Sequence, residues 1–543
     1  MKRAFLYVCV VVFLSGHRTY AQDKFVGKTA DGLGKQLTQA AEVGQRRSAA
    51  YALGKMGKGA AGAVADMKAA LASEKDAKVR DAIVFALGEI ARSSPEAKAD
   101  RELEPIFVKA LQDPDAHVRR SAAFAIGCIG SKAPATLTAL DAVLGDSHAM
   151  VRQNAAYVLG QFGDLAIPSL KRALGDADSL VKRDAASSLM QIENADEVHK
   201  VVKDLYPLCG DSNSEVRRAA LNVLVRIVDH TDKDAIPSLQ AVLTDRDLEN
   251  RRNAAVALTN IGGPETLIAL PVLLEAAKDA DVETRRQAVL GITNIGPTAA
   301  KAVPDLMRIL VADRDAEVRR NAALALGGIG KASEPAMPLL LQRMQDTKED
   351  QKTRVKCANA LAQIGPVGGA APIVPSLLRI IEDARDDVEV RERAVWALRV
   401  HGGELRKMKG PLETFSKILK EPVNAGNKML RYDCAYMLGM IWQHTAPDGA
   451  LDILGDFLAD ATIKLYQGQV IVSGPKTAES ISGKGFVKEQ SEGDARVMAA
   501  DALKGIGFAR YSQRADIMKH LKTLADDTKT FPPLRKKAAE MLR

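Results

Sequence analysis

Acidic and basic side chains recur in this sequence at a fixed separation, which makes them the first candidates for chemistry. Each of seven aspartates stands six residues before a basic residue, as Asp113 does before Arg119. A carboxylate beside a guanidinium could transfer a proton, bind an anion or form charge-assisted hydrogen bonds. Because the pairing returns in seven consecutive stretches of chain, it indicates architecture rather than one catalytic centre. The seven aspartates are Asp113, Asp146, Asp176, Asp211, Asp245, Asp279 and Asp313.

Residues that usually carry catalysis or hold metals form no such pattern. None of the eight histidines is followed by glutamate, and no H-E-x-x-H, P-loop, G-x-S-x-G or C-x-x-C sequence occurs. His117 and His148 share a turn position in neighbouring repeats, where exposed side chains are expected. The sequence therefore predicts no catalytic residue, no metal ligand and no bound cofactor.

The basic residue marks a repeat that runs along the whole chain. Phrases such as VRRSAAFAIGCIG at 118–130 and VRRNAALALGGIG at 318–330 align on it, and it returns fourteen times. Successive intervals are 30–40 residues, apart from one of 65 residues. Such a period is typical of stacked helical hairpins. We call these positions the register residues: Arg46, Arg80, Arg119, Arg152, Lys182, Arg217, Arg251, Arg285, Arg319, Arg354, Arg391, Arg431, Arg496 and Arg535.

Each repeat predicts two helices with one apolar face apiece. The first often carries proline in its opening turn, as at Pro168, where the missing N–H has no helical partner anyway. The second begins near the register residue and ends before a glycine such as Gly330, which fits a left-handed C-terminal cap. Helical spacing predicts the core of the ninth repeat as Val303, Leu306, Leu310, Val318, Ala322, Leu326 and Ile329.

The register phrase resembles the HEAT repeat family, specifically the shorter HEAT-like repeats of phycobilisome lyases. The resemblance implies an all-α fold, an α-solenoid of about fourteen HEAT-like helical hairpins. The one long interval, of 65 residues, places an insertion at 462–494, between a solenoid at 22–461 and C-terminal repeats at 495–543. The insertion is interpreted as a loop or β-hairpin. Deoxyhypusine hydroxylase, an iron enzyme built of such repeats, uses His-Glu pairs, and this sequence has none.

In HEAT repeats, the similar Asp and Arg form a hydrogen-bonded ladder between adjacent units. The resemblance implies the same structural role here. The implied ladder residues are Asp113, Arg119, Asp146, Arg152, Asp211, Arg217, Asp245, Arg251, Asp279, Arg285, Asp313 and Arg319.

A second basic residue often follows the register residue. Four consecutive repeats carry it, as Arg218, Arg252, Arg286 and Arg320. We expect these side chains to point away from the ladder towards solvent. They form either a solvated helix face or a track for an acidic peptide or polyanion, to which arginine's planar fork is suited. No aromatic side chains interleave with them as base stacking would require, so nucleic acid is not expected.

The repeat beside the insertion is rich in large side chains, including Tyr432, Tyr436 and Trp442. An aromatic cluster at helical spacing indicates a core, and the alternative is an anchor surface for a partner.

The first residues have the pattern of a secretory signal peptide. Lys2 and Arg3 precede an apolar run at 5–14, and residues 19–21 (TYA) offer a cleavage site. Removing residues 1–21 takes away three basic residues and no acidic one, so the net charge falls from +8 to +5. We therefore expect an exported chain, periplasmic or extracellular, with no membrane span after cleavage.

These observations favour a binding function. The leading hypothesis is a non-enzymatic protein-binding scaffold of the cell envelope or exterior, whose partner is a protein or an extended peptide. The alternatives are an enzyme or chromophore-handling protein of the HEAT-like lyase type, and a polyanion-binding protein.

Overall fold

Antiparallel helical hairpins follow one another along the chain. The computed structural model describes residues 24–25, 27–366, 373–421, 424, 426–460 and 496–543. Fourteen hairpins lie in this part of the chain, and every register residue falls in the second helix of one of them. The predicted all-α solenoid is confirmed. We number the hairpins 1–14 in chain order.

The described residues from Lys24 to Ile227 form one compact unit, the N-terminal unit, which contains hairpins 1–6. Two short strands, Lys24–Phe25 and Lys28–Thr29, pair antiparallel before hairpin 1. The first helices are Ala30–Gln39, Val64–Ser73, Leu103–Ala110, Pro134–Val143, Ile167–Leu174 and Val202–Leu205. The second helices are Val43–Met56, Ala77–Ser93, Ala116–Ile129, Ala149–Leu159, Ser179–Leu189 and Ser214–Ile227. Short helices at Pro95–Lys98 and Ala195–His199 and 3-10 segments at Gly57–Ala63, Gly160–Ala166 and Tyr206–Gly210 connect them.

The described residues from Val228 to Arg543 form the C-terminal unit, which contains hairpins 7–14. Its first helices are Ile236–Val242, Leu270–Ala276, Val303–Ala312, Met337–Gln345, Val374–Glu382, Lys409–Lys420, Asp448–Ala459 and Ala515–Asp526. Its second helices are Leu248–Ile261, Val282–Ile295, Ala316–Ile329, Gln351–Ile364, Val388–Arg399, Lys428–Trp442, Arg496–Ile506 and Pro532–Met541. The connections include short helices at Gly402–Leu405 and Phe508–Tyr511 and 3-10 segments at Lys233–Ala235, Pro264–Ala269, Gly296–Ala302, Gly330–Ala336 and Gln443–Thr445.

Burial follows the helical spacing of the apolar residues. All seven core positions predicted for the ninth repeat are buried in hairpin 9. Alanines at the shared positions of the second helices, such as Ala322 and Ala325, are fully buried and add little bulk between neighbouring helices. Each helix pair leaves one apolar side uncovered by itself, so stacking of the next hairpin completes the core.

Glycines end many second helices with a positive φ, as predicted. Among the glycines that cap described second helices, Gly130 alone adopts the left-handed helical conformation, with φ 66° and ψ 38°. Gly330 has φ 71° and ψ −135°, a backbone conformation that residues with a Cβ atom rarely adopt. From it the chain enters the 3-10 segment Gly330–Ala336, which the sequence reading did not anticipate.

Two predicted segments fall outside the described residues: the signal peptide at 1–21 and the insertion at 462–494. In the sequence, the insertion interval separates the two helices of hairpin 13, Asp448–Ala459 and Arg496–Ile506. Within the described ranges, no helix has both the length and the apolar character needed to cross a membrane.

Candidate functional site

Arg119 illustrates how register residues join neighbouring hairpins in the N-terminal unit. Its Nε and Nη2 atoms donate to the two carboxylate oxygens of Asp146 in the next hairpin, at 2.5 and 2.9 Å. Its Nη1 atom donates to the backbone carbonyl of Asp113 in its own hairpin, at 2.8 Å. Asp113 in turn gives its carboxylate to Arg80 of the preceding hairpin, at 2.8 and 2.9 Å. The aspartate therefore serves two hairpins, one through its carboxylate and one through its carbonyl group.

The same arrangement extends through this unit. The Asp146 carboxylate also accepts the backbone N–H of His148 at 2.8 Å, which fixes the turn before the second helix. The exposed His148 side chain lies beside the ladder. The other pairs are Arg46 with Glu74, Arg152 with Asp176, and Lys182 with Asp211.

In the C-terminal unit, the residue that supplies the carboxylate to the register arginine varies in type and in spacing. Arg285 donates to Asp313 at 2.7 and 3.1 Å, as the sequence spacing suggests. Arg319 donates to Glu349 instead, and Arg354 donates to Asp386 at 2.6 Å through both terminal nitrogens. Sequence reasoning missed these partners because it required aspartate six residues before the register residue. A glutamate in the turn, or a carboxylate five residues before the next register residue, serves equally well because the contact requires only a carboxylate in the turn.

The remaining ladder candidates have mixed partners. Arg217 and Arg251 donate to the carbonyl groups of Asp211 and Asp245, at 2.8 and 2.9 Å. The Arg251 side chain also approaches Glu275 at 3.5 Å. Asp279 accepts from the second basic residue, Arg252, also at 3.5 Å.

Ladder carboxylates remain charged over a wide pH range. Burial by itself would raise the pKa of Asp146, but hydrogen bonds from Arg119 and the His148 backbone outweigh it and lower the pKa overall. Hydrogen bonding to Asp146 raises the pKa of Arg119 in return. Both side chains of the pair are therefore charged and hydrogen-bonded near neutral pH. Such a pair suits a structural contact, because neither group exchanges a proton in that pH range.

The second basic residues are half-buried rather than directed freely into solvent. Arg286 donates to Asp315, the N-cap of the next second helix, at 2.6 and 3.0 Å. This contact is the main cause that lowers the pKa of Asp315 to about 2. Arg320 approaches the next such cap, Asp350, at 3.6 Å, and Arg218 is also half-buried. Where such contacts form, neighbouring carboxylates already neutralise the guanidinium groups, which weakens the hypothesis of a polyanion track.

The aromatic cluster of hairpin 12 belongs to the core. Tyr432, Tyr436 and Trp442 are each 5% exposed. Tyr432 stacks on Phe457 with ring centroids 4.2 Å apart, and Trp442 meets Phe415 edge-on at 6.2 Å. Side chains this buried cannot anchor a partner in the folded state, so the alternative of an anchor surface is not supported.

Two acids are buried near this cluster. Burial is the main cause that raises the pKa of Glu392 to about 7. Burial, followed by the charge of Glu392, also raises the pKa of Asp433, whereas Arg393 and a hydrogen bond with Trp396 act in the opposite direction. A perturbed acid pair is a feature of some catalytic sites. Neither acid lines the described cavity of about 300 Å³ nearby, whose wall includes Lys428, Tyr432 and Asp456.

A row of aromatic side chains runs over the second helices of hairpins 1–4. Tyr51, Phe85, Phe124 and Tyr157 each stand five residues after a register residue. Tyr51 is 53% exposed and Phe85 is 39% exposed, while Phe124 and Tyr157 are half-buried. The rings of Phe85 and Phe124 stack with centroids 5.1 Å apart. We call these four residues the aromatic ridge.

Glycines bring the helices beneath the aromatic ridge close together. A Cβ atom placed on Gly54 would lie 2.9 Å from the Cβ atom of Ala86, and one on Gly88 would lie 2.9 Å from the Cα atom of Ala125. Gly127 and Gly160, at the same register, contact the following helices equally closely. Because the second helices of hairpins 2 and 3 approach so closely at Gly88, Phe85 and Phe124 come into ring contact above them.

The sequence model of the HEAT repeats family matches this chain at residues 67–153, 104–190, 137–224, 202–271 and 270–350. Together these matches span more than half of the 543 residues. The chain belongs to the HEAT repeat family. Among curated proteins, none matches it in sequence.

Solved structures to which this chain is similar include three with low sequence identity. A chain in a homology model of the full-length AP-3 complex is 14% identical, with 95% of this chain and 92% of that chain covered and a TM-score of 0.55. Importin beta is 13% identical, with 94% of this chain and 72% of the importin chain covered and a TM-score of 0.46. An engineered protein is 24% identical, with 68% of this chain and 98% of the engineered chain covered and a TM-score of 0.43. The likeness to the AP-3 chain supports the fold alone.

Within this HEAT architecture, the aromatic ridge is the feature that sequence reasoning missed. The signal was present in the repeated phrases, since VRRSAAFAIGCIG and VRQNAAYVLGQFG carry an aromatic residue at the same place. Aligning that position in the first four repeats reveals the row. The position becomes Ser187 and Asn222 in hairpins 5 and 6, so the ridge ends within the N-terminal unit.

Proposed function

We propose that this protein is a non-enzymatic, protein-binding scaffold that acts outside the cytoplasm, in the cell envelope or exterior. The observation that carries the binding role is the aromatic ridge. Exposed, contiguous apolar side chains rimmed by polar ones mark interaction surfaces on soluble proteins. Tyrosine and phenylalanine supply large contact areas with few rotatable bonds, so they order at low entropic cost.

The charged residues support a scaffold rather than a catalyst. In the described ladder, most register residues and turn carboxylates are engaged with each other, as Arg119 is with Asp146. A second described cavity, of about 310 Å³, is lined by Leu137, Asp141 and Arg172. It is an open surface depression in which Arg172 and Asp141 already form an ion pair. A lyase-type site should instead provide an enclosed, partly apolar pocket with converging polar groups.

The extracytoplasmic location is supported by the sequence of residues 1–21. A basic start, a ten-residue apolar run and small residues at 19 and 21 are the parts of a secretory signal peptide. N-terminal sequencing of the mature protein after cell fractionation should find a chain that begins at Gln22, in the envelope or the medium. An intact N-terminus in the cytoplasmic fraction would contradict this part of the proposal.

Site-specific photo-crosslinking in the native host tests the binding role. A photoreactive phenylalanine analogue in place of Phe85 should crosslink the chain to a discrete protein partner. The same analogue in place of Phe508, which is 51% exposed but lies in the C-terminal unit, is the matched control. Equal crosslinking from both positions, or none from position 85, would contradict the assignment of the aromatic ridge. Turnover of a small molecule by the purified chain would contradict the non-enzymatic role.

A further inference from the structure

We propose that the cavity between hairpins 12 and 13 binds a small amino-acid zwitterion. The volume of the cavity, about 300 Å³, is at the lower end of the range for small-ligand sites. Its wall carries charges of both signs beside an apolar part, and all of its lining residues belong to the C-terminal unit. The proposal is independent of the aromatic ridge and adds a small-molecule site to the scaffold.

Arg431 lines this cavity and is a register residue to which the ladder supplies no carboxylate. Many other register residues bind a carboxylate of the next hairpin, as Arg285 binds Asp313. Within the described part of the chain, the Arg431 guanidinium donates only to the carbonyl group of Leu419, at 3.4 Å. Its Nε atom is buried without a hydrogen-bond partner there. The remaining N–H groups of this half-buried guanidinium can therefore bind a carboxylate from a ligand.

Asp460 stands where the ladder carboxylate for Arg431 is expected. It directly follows the first helix of hairpin 13, as Asp313 directly follows the first helix of hairpin 9. Its carboxylate lies 3.6 Å from the Nζ atom of Lys428, which precedes Arg431 by three residues. Lys428 thus takes the carboxylate that Arg431 receives from the corresponding aspartate in other hairpins.

Asp456 supplies the opposite charge. It lies one helical turn before Asp460, is exposed and lines the same cavity. Among the described residues it forms no ion pair, either with Arg431 or with another cation. Burial raises the pKa of Tyr432, the charges of Asp460 and Asp456 raise it further, and Arg431 lowers it. The three charged groups therefore surround one ring, and the unpaired cation and the unpaired anion share one cavity.

These charges favour a zwitterion over a simple ion. Two basic and two acidic side chains line the cavity. A simple anion is repelled by both aspartates, and a simple cation is repelled by both basic side chains. A zwitterion can place its carboxylate at Arg431 and its ammonium group at Asp456, so that each unpaired charge gains a partner.

The apolar part of the wall suits an aliphatic side chain. Ile453 and Ala459 lie on the first helix of hairpin 13 and face the cavity beside the two aspartates. The ring of Tyr432 closes another side and is fixed by its stacking on Phe457. An aliphatic group that covers this surface removes it from water, which favours binding. Leucine is therefore the amino acid chosen as the probe.

Isothermal titration calorimetry with the full chain tests the proposal. The probe is L-leucine. The comparison ligands are N-acetyl-L-leucine, which lacks the ammonium group, and L-leucinamide, which lacks the carboxylate. We expect leucine to bind about tenfold more tightly than either, because each analogue leaves one charged group of the cavity without a partner.

Two variants assign the contacts. Asp456→Asn should weaken leucine binding by about tenfold without weakening that of N-acetyl-L-leucine, which has no ammonium group. Arg431→Met should weaken leucine binding similarly without weakening that of L-leucinamide, which has no carboxylate. Asp526→Asn, which changes an exposed aspartate of hairpin 14, is the control and should leave all three affinities unchanged. A variant that merely loosened the fold would weaken all three ligands together, and circular dichroism melting checks each fold.

Three outcomes would overturn the proposal. One is equal binding of leucine and N-acetyl-L-leucine, which would reduce the cavity to a carboxylate site. Another is that Asp526→Asn weakens leucine binding as much as Asp456→Asn does, which would place the site elsewhere. A third is that millimolar leucine gives neither heat of binding nor saturation transfer in NMR spectra. Crosslinking from position 85 tests the scaffold function separately, so that function can stand when this proposal fails.

Discussion

Gly88 lies so close to Ala125 that a side-chain carbon on Gly88 would fall 2.9 Å from the Cα atom of Ala125. No flexible side chain can move aside, because the contact is with backbone. The same approach holds the second helices of hairpins 2 and 3 at the distance at which Phe85 and Phe124 stack at 5.1 Å. One glycine thus links packing in the core to the shape of the surface above it.

Gly88→Ala should destabilise the N-terminal unit. Overpacking of this kind costs about 1–3 kcal/mol, which exceeds the gain of up to about 1 kcal/mol in helix propensity. The matched control is Gly44→Ala, since Gly44 is also helical but has nothing within 4 Å of its would-be Cβ atom. Urea unfolding followed by circular dichroism should show a lower midpoint for the first variant and an equal or higher one for the second. Equal midpoints for both would contradict the close contact.

Arg119 and Asp146 should be strongly coupled in a double-mutant cycle. The pair is bidentate, with side chains 14% and 7% exposed, so removing one partner leaves a poorly solvated charge. Each of Arg119→Ala and Asp146→Ala should cost about 2–4 kcal/mol, and their combination should cost less than the sum. The surface pair Lys35 and Asp31, 63% and 73% exposed, is the control and should show coupling of at most about 0.5 kcal/mol. Additive losses at Arg119 and Asp146 would mean that the bridge adds no stability.

Glu392 should make the C-terminal unit less stable as pH rises. Burial raises its folded pKa from 4.5 to about 7. Below pH 4.5 the carboxyl group is protonated in both states, and between pH 4.5 and about 7 only the unfolded chain releases its proton. Stability therefore falls across that window by up to about 2–3 kcal/mol and is lowest above it.

Glu392→Gln mimics the protonated acid and removes most of this slope. Its free energy of unfolding at pH 8 should exceed that of the parent chain by about 2 kcal/mol, and at pH 4 the two should agree. Glu317→Gln, in the same unit but with a half-exposed side chain, should leave the pH profile unchanged. If urea unfolding of Glu392→Gln at pH 4, 6 and 8 retains the parent's slope, the assignment to Glu392 is wrong.

Tyr432→Ala should reduce stability rather than remove a binding contact. Its ring is 5% exposed and stacks on Phe457 at 4.2 Å, so truncation leaves a cavity costing about 3–5 kcal/mol. Met440→Ala, on the same helix but 41% exposed, should change stability by less than about 1 kcal/mol. Thermal melting compares the two variants. A Tyr432→Ala chain that melts like the parent would restore the interpretation of this cluster as a surface.

The sequence by itself determined the fold and the positions of its repeating parts. Helical spacing identified the core of hairpin 9 from Val303 to Ile329, because burial in a helix depends only on which residues share a face. The recurring register residue located every second helix, since the turn before each such helix needs a cation at that point. The positive-φ glycines that end many second helices could also be located from the sequence, because the conformation at a helix end is a local property of the backbone.

Tertiary structure decided which groups meet across hairpins. The carboxylate of Asp113 reaches Arg80 rather than Arg119, and Glu349 takes the place of an aspartate, because the stacking of neighbouring turns sets those partners. Helical spacing indicated that Tyr432 lies in the core, but its stacking partner, Phe457 of the next hairpin, is set by the tertiary structure. The aromatic ridge depends on stacking in the same way: Phe85 and Phe124, 39 residues apart in sequence, meet only because glycine contacts bring their helices together.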